Sequence, residues 1–241
     1  MRKNPVRAKL QNGEAVYGIF AVEFFTPGFC QIAAGAGAEF VIFDQEHGAV
    51  GIDVLKAQIA FARGTGIAPF VRVPGLAYHL IAPVLDAGAM GIMVPMIESG
   101  EQAEKLANWC RYRPLGVRGL GFGVSHDDYS RGEVVSKTAQ ANERTLVIAL
   151  IETAAGIANA DEILRIPGVD VGWLGHYDLT DSMGITAEFD RPEFDAAVEG
   201  LLAACNRNGK AAGFLATSVE MARAWRRKGF RCLSYGTDIG V

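Results

Sequence analysis

The sequence has little cysteine: Cys30, Cys110, Cys205 and Cys232 are widely spaced and form no CxxC pair. Zinc-knuckle spacing is thereby excluded, and a disulfide framework is a poor reading for a chain of 241 residues. Reduced thiols and a cytoplasmic location are the expectation. No apolar run reaches the ~18 residues that a membrane-spanning helix needs. Met1-Arg2-Lys3-Asn4-Pro5 is not followed by an apolar stretch, so a secretory signal is not expected. A surplus of positive charge is also missing. There are 23 Lys+Arg against 27 Asp+Glu, a formal net charge of -4, which is not the footprint of a nucleic-acid binder. No GxGxxG follows the first apolar segment, and there is no HExxH. What remains is a chain that is 50% hydrophobic and 21% charged, long enough for one large core.

Short apolar runs alternate with helical patterns eight times. The runs at 16–24, 40–43, 69–73, 91–97, 146–151, 169–174, 211–215 and 232–235 read as strands. Helical spacing lies between them, at 53–63, 79–87, 101–109, 154–164, 193–206 and 219–228, with a further stretch ending at Gly37. Strands that are apolar throughout, each followed by a helix, predict a parallel sheet covered on its faces. Eight such units predict an α/β protein of the (β/α)8 TIM-barrel type rather than an open sheet. The pattern breaks at 113–143, a segment rich in Gly, polar and charged residues. The expectation is therefore one barrel domain over 1–241, with an insertion at the mouth and no residues left for an eighth helix.

Catalytic groups of such barrels stand at the C-terminal ends of strands. Polar residues concentrate there: Asp44, Glu46 and His47 after the second strand, Arg72 on the third, Glu152 after the fifth, and Gly175-His176-Tyr177-Asp178 after the sixth. Asp86 interrupts an apolar helix. Any one of these has a plain reading as a cap or a surface ion pair. Glu152 is harder to place that way, because it follows six apolar residues and carboxylates are almost never buried unpaired. Two strand-end carboxylates suit a hard divalent cation such as Mg2+ or Mn2+. Arg72 suits a carboxylate or carbonyl oxygen, or else an ion pair with Glu152 or Asp178. His47 is the histidine placed like a base, with Asp44 in position to orient it. None of the seven lysines falls at a strand's C-terminal end, which argues against Schiff-base chemistry.

Several segments, in order, resemble the HpcH/HpaI aldolases, which are metal-dependent class II pyruvate aldolases. They are Phe43-Asp-Gln-Glu-His-Gly48, Val71-Arg-Val-Pro74, Val84-Leu-Asp-Ala-Gly88 with Val94-Pro-Met96, Arg111-Tyr112 to Arg118-Gly119, Ile151-Glu-Thr153, and Pro167-Gly-Val-Asp170 through Gly175 to Asp178-Leu179. The likeness runs from about Gly18 to Asp238. It implies that Glu152 and Asp178 are metal ligands for Mg2+, Mn2+ or Co2+. It implies that Arg72 steadies the pyruvate oxygen, and that His47 is catalytic with Asp44 and Asp86 as its acidic supports. The backbone N–H groups around Gly175, His176, Tyr177 and Asp178 would receive the substrate carboxylate. The implied reaction is reversible cleavage of a 4-hydroxy-2-oxo acid to pyruvate, or a close 2-oxo acid, and an aldehyde through a metal-stabilised enolate. The implied assembly is a homo-oligomer, a trimer of dimers, with a C-terminal helix packing across a partner subunit. The chain departs from the family's commonest pattern at Gly175-His176, Tyr112-Arg113-Pro114 and 121–129, which bears on the aldehyde partner. Two other readings stay open: a CoA-thioester lyase of the citrate lyase β-subunit type, and a non-catalytic metabolite-binding barrel.

Overall fold

Along each strand the side chains alternate between two environments, and in a closed barrel both are dry. A computed structural model describes residues 1–240. Its strands are β1 (Val16–Ala21), β2 (Phe40–Asp44), β3 (Ala68–Arg72), β4 (Gly91–Val94), β5 (Leu146–Ile151), β6 (Val171–Leu174), β7 (Ala211–Ala216) and β8 (Cys232–Thr237). All are parallel and pair in sequence order, and β8 closes the barrel onto β1. The predicted TIM barrel is what forms.

Alternate residues fill two separate cores. Phe20, Phe40, Phe70, Met93, Ile148 and Trp173 point inward and fill the barrel. Val41, Phe43, Val71, Ile92, Val147 and Ala149 point outward and meet the helices. Glycine makes room where two large inward rings would collide. A Cβ on Gly213 would stand 2.3 Å from the Trp173 ring.

The outer layer is built from α2 (Phe29–Gly35), α3 (Ile52–Phe61), α4 (Tyr78–Asp86), α5 (Gly100–Cys110), α10 (Pro192–Arg207) and α11 (Val219–Lys228). Between β5 and β6 the single helix expected at 154–164 is two, α7 (Ala154–Ala158) and α8 (Ala160–Leu164). The break falls at Asn159, whose side-chain amide donates to the Glu98 carbonyl at 2.7 Å. No helix follows β8 among the described residues, and Tyr17 and Tyr235 on the outer faces of β1 and β8 are exposed. The first strand, expected through Phe24, stops at Ala21. The amides of Val22, Glu23 and Phe24 turn instead to the Asp238 carboxylate at 3.0, 3.0 and 2.7 Å.

The segment expected at the mouth lies at the other end of the barrel. It leaves α5, which runs back from the mouth, and returns into the start of β5. It therefore covers the N-terminal face, where Arg63 donates to the Ser125 carbonyl at 2.8 Å. Nor is it irregular throughout: it contains α6 (Val134–Arg144). The buried side of α6 carries Lys137, Asn142 and Arg144 beside Ala141, so little apolar surface marks it. Lys137 pairs there with the buried Asp127 at 2.6 Å.

The same face is plugged by α1 (Pro5–Gln11), which places Val6 and Leu10 against the barrel interior. The signal for α1 is Asn4 as N-cap with Pro5 at the first helical position. Asn4 is buried and uses all of its polar atoms. Its oxygen accepts from Arg7 N–H at 3.2 Å, and its amide donates to the carbonyls of Met90 (3.0 Å) and Arg144 (2.9 Å). Asn4→Ala should therefore lose a cap and take its donor from the Arg144 carbonyl, while the Met90 carbonyl keeps the Leu146 N–H at 2.9 Å. A loss of roughly 2–3 kcal/mol in urea-unfolding stability is expected. A change within about 0.5 kcal/mol would mean that α1 is not part of the cooperative fold.

Candidate active site

The inward parity of the strands, carried one step past the apolar layers, decides what faces the mouth. On β2 the inward residues are Phe40, Ile42 and then Asp44. On β3 they are Ala68, Phe70 and then Arg72. On β5 they are Leu146, Ile148 and Leu150, with Glu152 next in phase. The register pairs Asp44 with Arg72 directly. Arg72 donates from Nε to Asp44 Oδ1 at 2.8 Å and from Nη2 to Oδ2 at 2.5 Å, a two-pronged contact. Its Nη1 stands 3.1 Å from Glu46 Oε2. Burial works against the guanidinium charge, but the Asp44 and Glu46 carboxylates outweigh it and the pKa is raised. Arg72 is held rigid by two acids and offers its remaining donors to the cavity.

Glu46 and His47 sit on the turn that follows β2. A Cβ on Gly48 would stand 2.4 Å from the Asp44 carbonyl oxygen and 2.7 Å from that of Val22, so only glycine lets this turn close. His47 projects into solvent at the mouth, with Nε2 4.0 Å from Glu46 Oε2. Burial raises the Glu46 pKa, against the pull of Arg72 and His47.

Glu152 is 4% exposed and unpaired with any cation. Its Oε1 accepts the Met96 N–H at 2.9 Å, and Met96 holds a left-handed backbone (φ 57). Such conformations cost of order 1–3 kcal/mol and concentrate at functional sites. On the other side, a Cβ on Gly175 would stand 2.3 Å from Glu152 Oε2. Gly175 caps a short helix, α9 (His176–Ser182), with Asp178 in its first turn. Burial first, then the Asp178 and Glu46 charges, pushes the Glu152 carboxyl up to about 7. A cavity of about 380 Å3 lies over this layer, lined by His47, Arg72, Glu152, Tyr177 and Asp178 above Phe20 and Trp173.

Two expected supports of His47 are elsewhere. Both oxygens of Asp44 are engaged by Arg72, and Oδ1 also accepts the Glu46 N–H at 3.0 Å. Asp86 ends α4 at the N-terminal face and pairs with Arg118 at 2.6 Å. The strand-to-helix order explains this, because a helix that begins at the mouth ends at the opposite face. His176 does line the cavity, but its ring is wedged among Tyr177, Phe189 and Phe214 at 4.5, 5.3 and 4.9 Å. Burial pushes it down to about 4, so it is a neutral aromatic group there. Sequence reasoning left two contributors unassigned. Glu46 is visible as a strand-end acid, whereas the Met96 amide has no side-chain signal.

The charge balance tests whether a cation fits. Asp44, Glu46, Glu152 and Asp178 face one guanidinium, and Arg72 is already shared by Asp44 and Glu46. Among the described residues no group of three or more His, Cys, Asp or Glu side chains forms a closed cage. Two carboxylates at an open cavity match a hard cation that keeps water or substrate oxygens as its other ligands.

With this geometry in place, the likenesses are informative. The sequence profile of the HpcH/HpaI aldolase/citrate lyase family matches residues 18–241. The hydroxypyruvate/pyruvate aldolase of Roseovarius nubinhibens is 34% identical over 98% of this chain and 91% of that protein. The 2-keto-3-deoxy-L-rhamnonate aldolase of Escherichia coli is 31% identical over 98% of this chain and 85% of its own. The crystal structure of an HpcH/HpaI aldolase from Desulfitobacterium hafniense superposes with a TM-score of 0.92 at 27% identity, covering 97% of this chain and 90% of that one. The fold and the aldolase relatives thus define a carbon–carbon lyase. It belongs to the HpcH/HpaI aldolase/citrate lyase family.

The raised Glu152 carboxyl gives a stability prediction. Its folded value of about 7 exceeds the ordinary 4.5, so between those pH values the folded chain binds more protons than the unfolded one. The metal-free protein therefore loses stability from this group as pH rises through that window. Glu152→Gln should abolish this loss and stabilise the metal-free protein at pH 8 by roughly 1–3 kcal/mol. Urea titrations at pH 5 and pH 8 would test it. Equal stabilities of the two proteins at pH 8 would refute it.

Proposed function

We propose that this protein is a class II aldolase that cleaves a 4-hydroxy-2-oxo acid to pyruvate or hydroxypyruvate and an aldehyde, reversibly. One observation carries the reading. Glu152 and Asp178 share a cavity with Arg72 at the mouth of a barrel of this family, and acids outnumber cations there. The two aldolase relatives support the substrate class. The CoA-thioester reading has only weak support, since the citrate lyase β subunit of M. tuberculosis is 21% identical with a TM-score of 0.60, a likeness of fold alone.

Glu152 and Asp178 are the residues that would hold the divalent cation, Mg2+, Mn2+ or Co2+. When bound, it supplies Lewis acidity that polarises the 2-oxo group. The protein's own groups do the rest. Arg72, fixed by Asp44 and Glu46, donates N–H to the substrate's keto oxygen and meets the negative charge that grows there. The first N–H groups of α9, at His176 to Asp178, have no intrahelical partner and receive the substrate carboxylate. His47 stands at the open side of the cavity, where its imidazole moves a proton between solvent and the methyl carbon or the aldehyde oxygen. Phe20, Leu150 and Trp173 floor the cavity and keep water from the nucleophilic carbon.

The same reading includes a reducing, cytoplasmic setting, supported by four free and buried cysteines. It also includes a homo-oligomer, supported by the exposed, outward-facing Tyr17 and Tyr235 on the adjacent strands β1 and β8. No helix is long and apolar enough to cross a membrane among the described residues.

Release of pyruvate from a panel of 4-hydroxy-2-oxo acids tests the proposal. Chelated protein should be inactive and should recover with Mg2+, Mn2+ or Co2+. Turnover that survives thorough chelation would overturn the metal assignment. Arg72→Lys keeps the charge but loses the fork, and kcat/KM should fall by about 10²–10³. His47→Gln should lower kcat by about 10²–10⁴ without unfolding the chain, since His47 is exposed. Unchanged kinetics in either variant would remove that residue from the mechanism.

A further inference from the structure

On the face opposite the mouth, the N-terminal segment with α1 and the end of α6 wall a cavity of about 390 Å3. Its charged lining is Arg2, Lys3, Arg7 and Arg144, with Glu143 as the one acid. The two aspartates near it are already shared. Asp128 stands 3.3 Å from Arg2 and 3.8 Å from Arg63, and Asp170 stands 3.0 Å from Arg7 and 3.3 Å from Arg111. Two acids thus serve four guanidiniums. Among the described residues, Lys3 and Arg144 make no ion pair at all.

Arg144 is the decisive group. It is 3% exposed, and its Nε and Nη1 are buried without a hydrogen-bond partner. Nη2 is not among the sealed atoms, and Arg144 reaches the cavity wall. Its backbone is fixed, because the Arg144 carbonyl accepts from Asn4 at 2.9 Å. Burial pushes the guanidinium pKa down to about 10, which leaves it charged at neutral pH. A buried, charged guanidinium with no carboxylate partner, and with Nη2 left toward a cavity, is half of a recognition site, since its N–H groups donate to a phosphate or carboxylate oxygen.

We propose that this cavity binds a small oxyanion, the phosphate or carboxylate of a metabolite, on Arg144 with Lys3 at the rim. The filled barrel interior, with Phe40, Phe70 and Trp173, separates it from the mouth. An occupant would join the N-terminal segment to α6 and so stabilise the folded chain by linkage.

The full chain would be titrated with inorganic phosphate and, separately, with malonate, by calorimetry and by the shift in Tm at low chloride. Saturable binding of at least one anion with a rise in Tm is expected, and the tighter of the two identifies the headgroup chemistry. Arg144→Met and Lys3→Glu should each weaken it by about 10-fold or more. Arg72→Ala, which alters the mouth, should leave it intact. If Arg144→Met fails to fold, the exposed Lys3→Glu carries the test alone. Absence of saturable binding would overturn the proposal. So would binding that survives both floor variants, or binding lost in Arg72→Ala.

Discussion

The contact between Asp44 and Arg72 lets a charged layer rest on an apolar barrel. Both residues end adjacent strands at the same register position and point inward. Above Ile42 and Phe70 an isolated charge of either sign would be costly, and together they form a two-pronged pair with each oxygen of Asp44 occupied. The pair then sets the rest of the mouth. It turns one edge of the guanidinium toward Glu46, which draws the turn carrying His47 to the cavity rim. It also leaves Arg72 too committed to neutralise Glu152. Among the described residues, Glu152 and Asp178 are left at the cavity without an ion-pair partner.

The barrel's two ends carry opposite imbalances. At the mouth four carboxylates face one guanidinium, and burial raises the pKa of Glu152 and Glu46. At the floor guanidiniums outnumber acids, and burial lowers the pKa of Arg144, Arg111 and Arg2. The chain's near-neutral total of -4 conceals this separation. An apolar interior keeps the two ends from compensating each other, because charges that far apart are screened by solvent more readily than they attract through the core.

Much of this was legible before any coordinates. Apolar runs alternating with helices were enough for the barrel, since β5 and α11 fall where periodicity placed them. Arg72, Glu152 and Asp178 were legible because a barrel assigns strand ends to the mouth. Asp86 misled because composition does not say which end of a helix a residue occupies; its position at the end of α4 puts it beside Arg118. Composition likewise does not say that the 113–143 segment, which joins a helix to the next strand, lies at the floor. Helix α6 was hidden because its buried side is mostly polar, with Lys137 neutralised by Asp127 rather than by apolar packing. No residue pattern encodes the role of Met96, which acts through its amide.

The floor is the part least legible in the sequence, for one reason. Periodicity reports burial of apolar surface, and where polar groups bury each other the sequence reads as loop. In this chain such burial occurs at the floor, among Asn4, Asp127, Lys137, Asn142 and Arg144. The mouth is polar as well, but its residues sit in phase with apolar strands and so inherit their signal. Strand phase is therefore the stronger guide to a barrel's reactive layer: counting two residues beyond Ile148 reaches Leu150, and two more reach Glu152. The same count from Phe40 reaches Asp44, and from Ala68 it reaches Arg72, the pair on which the mouth depends.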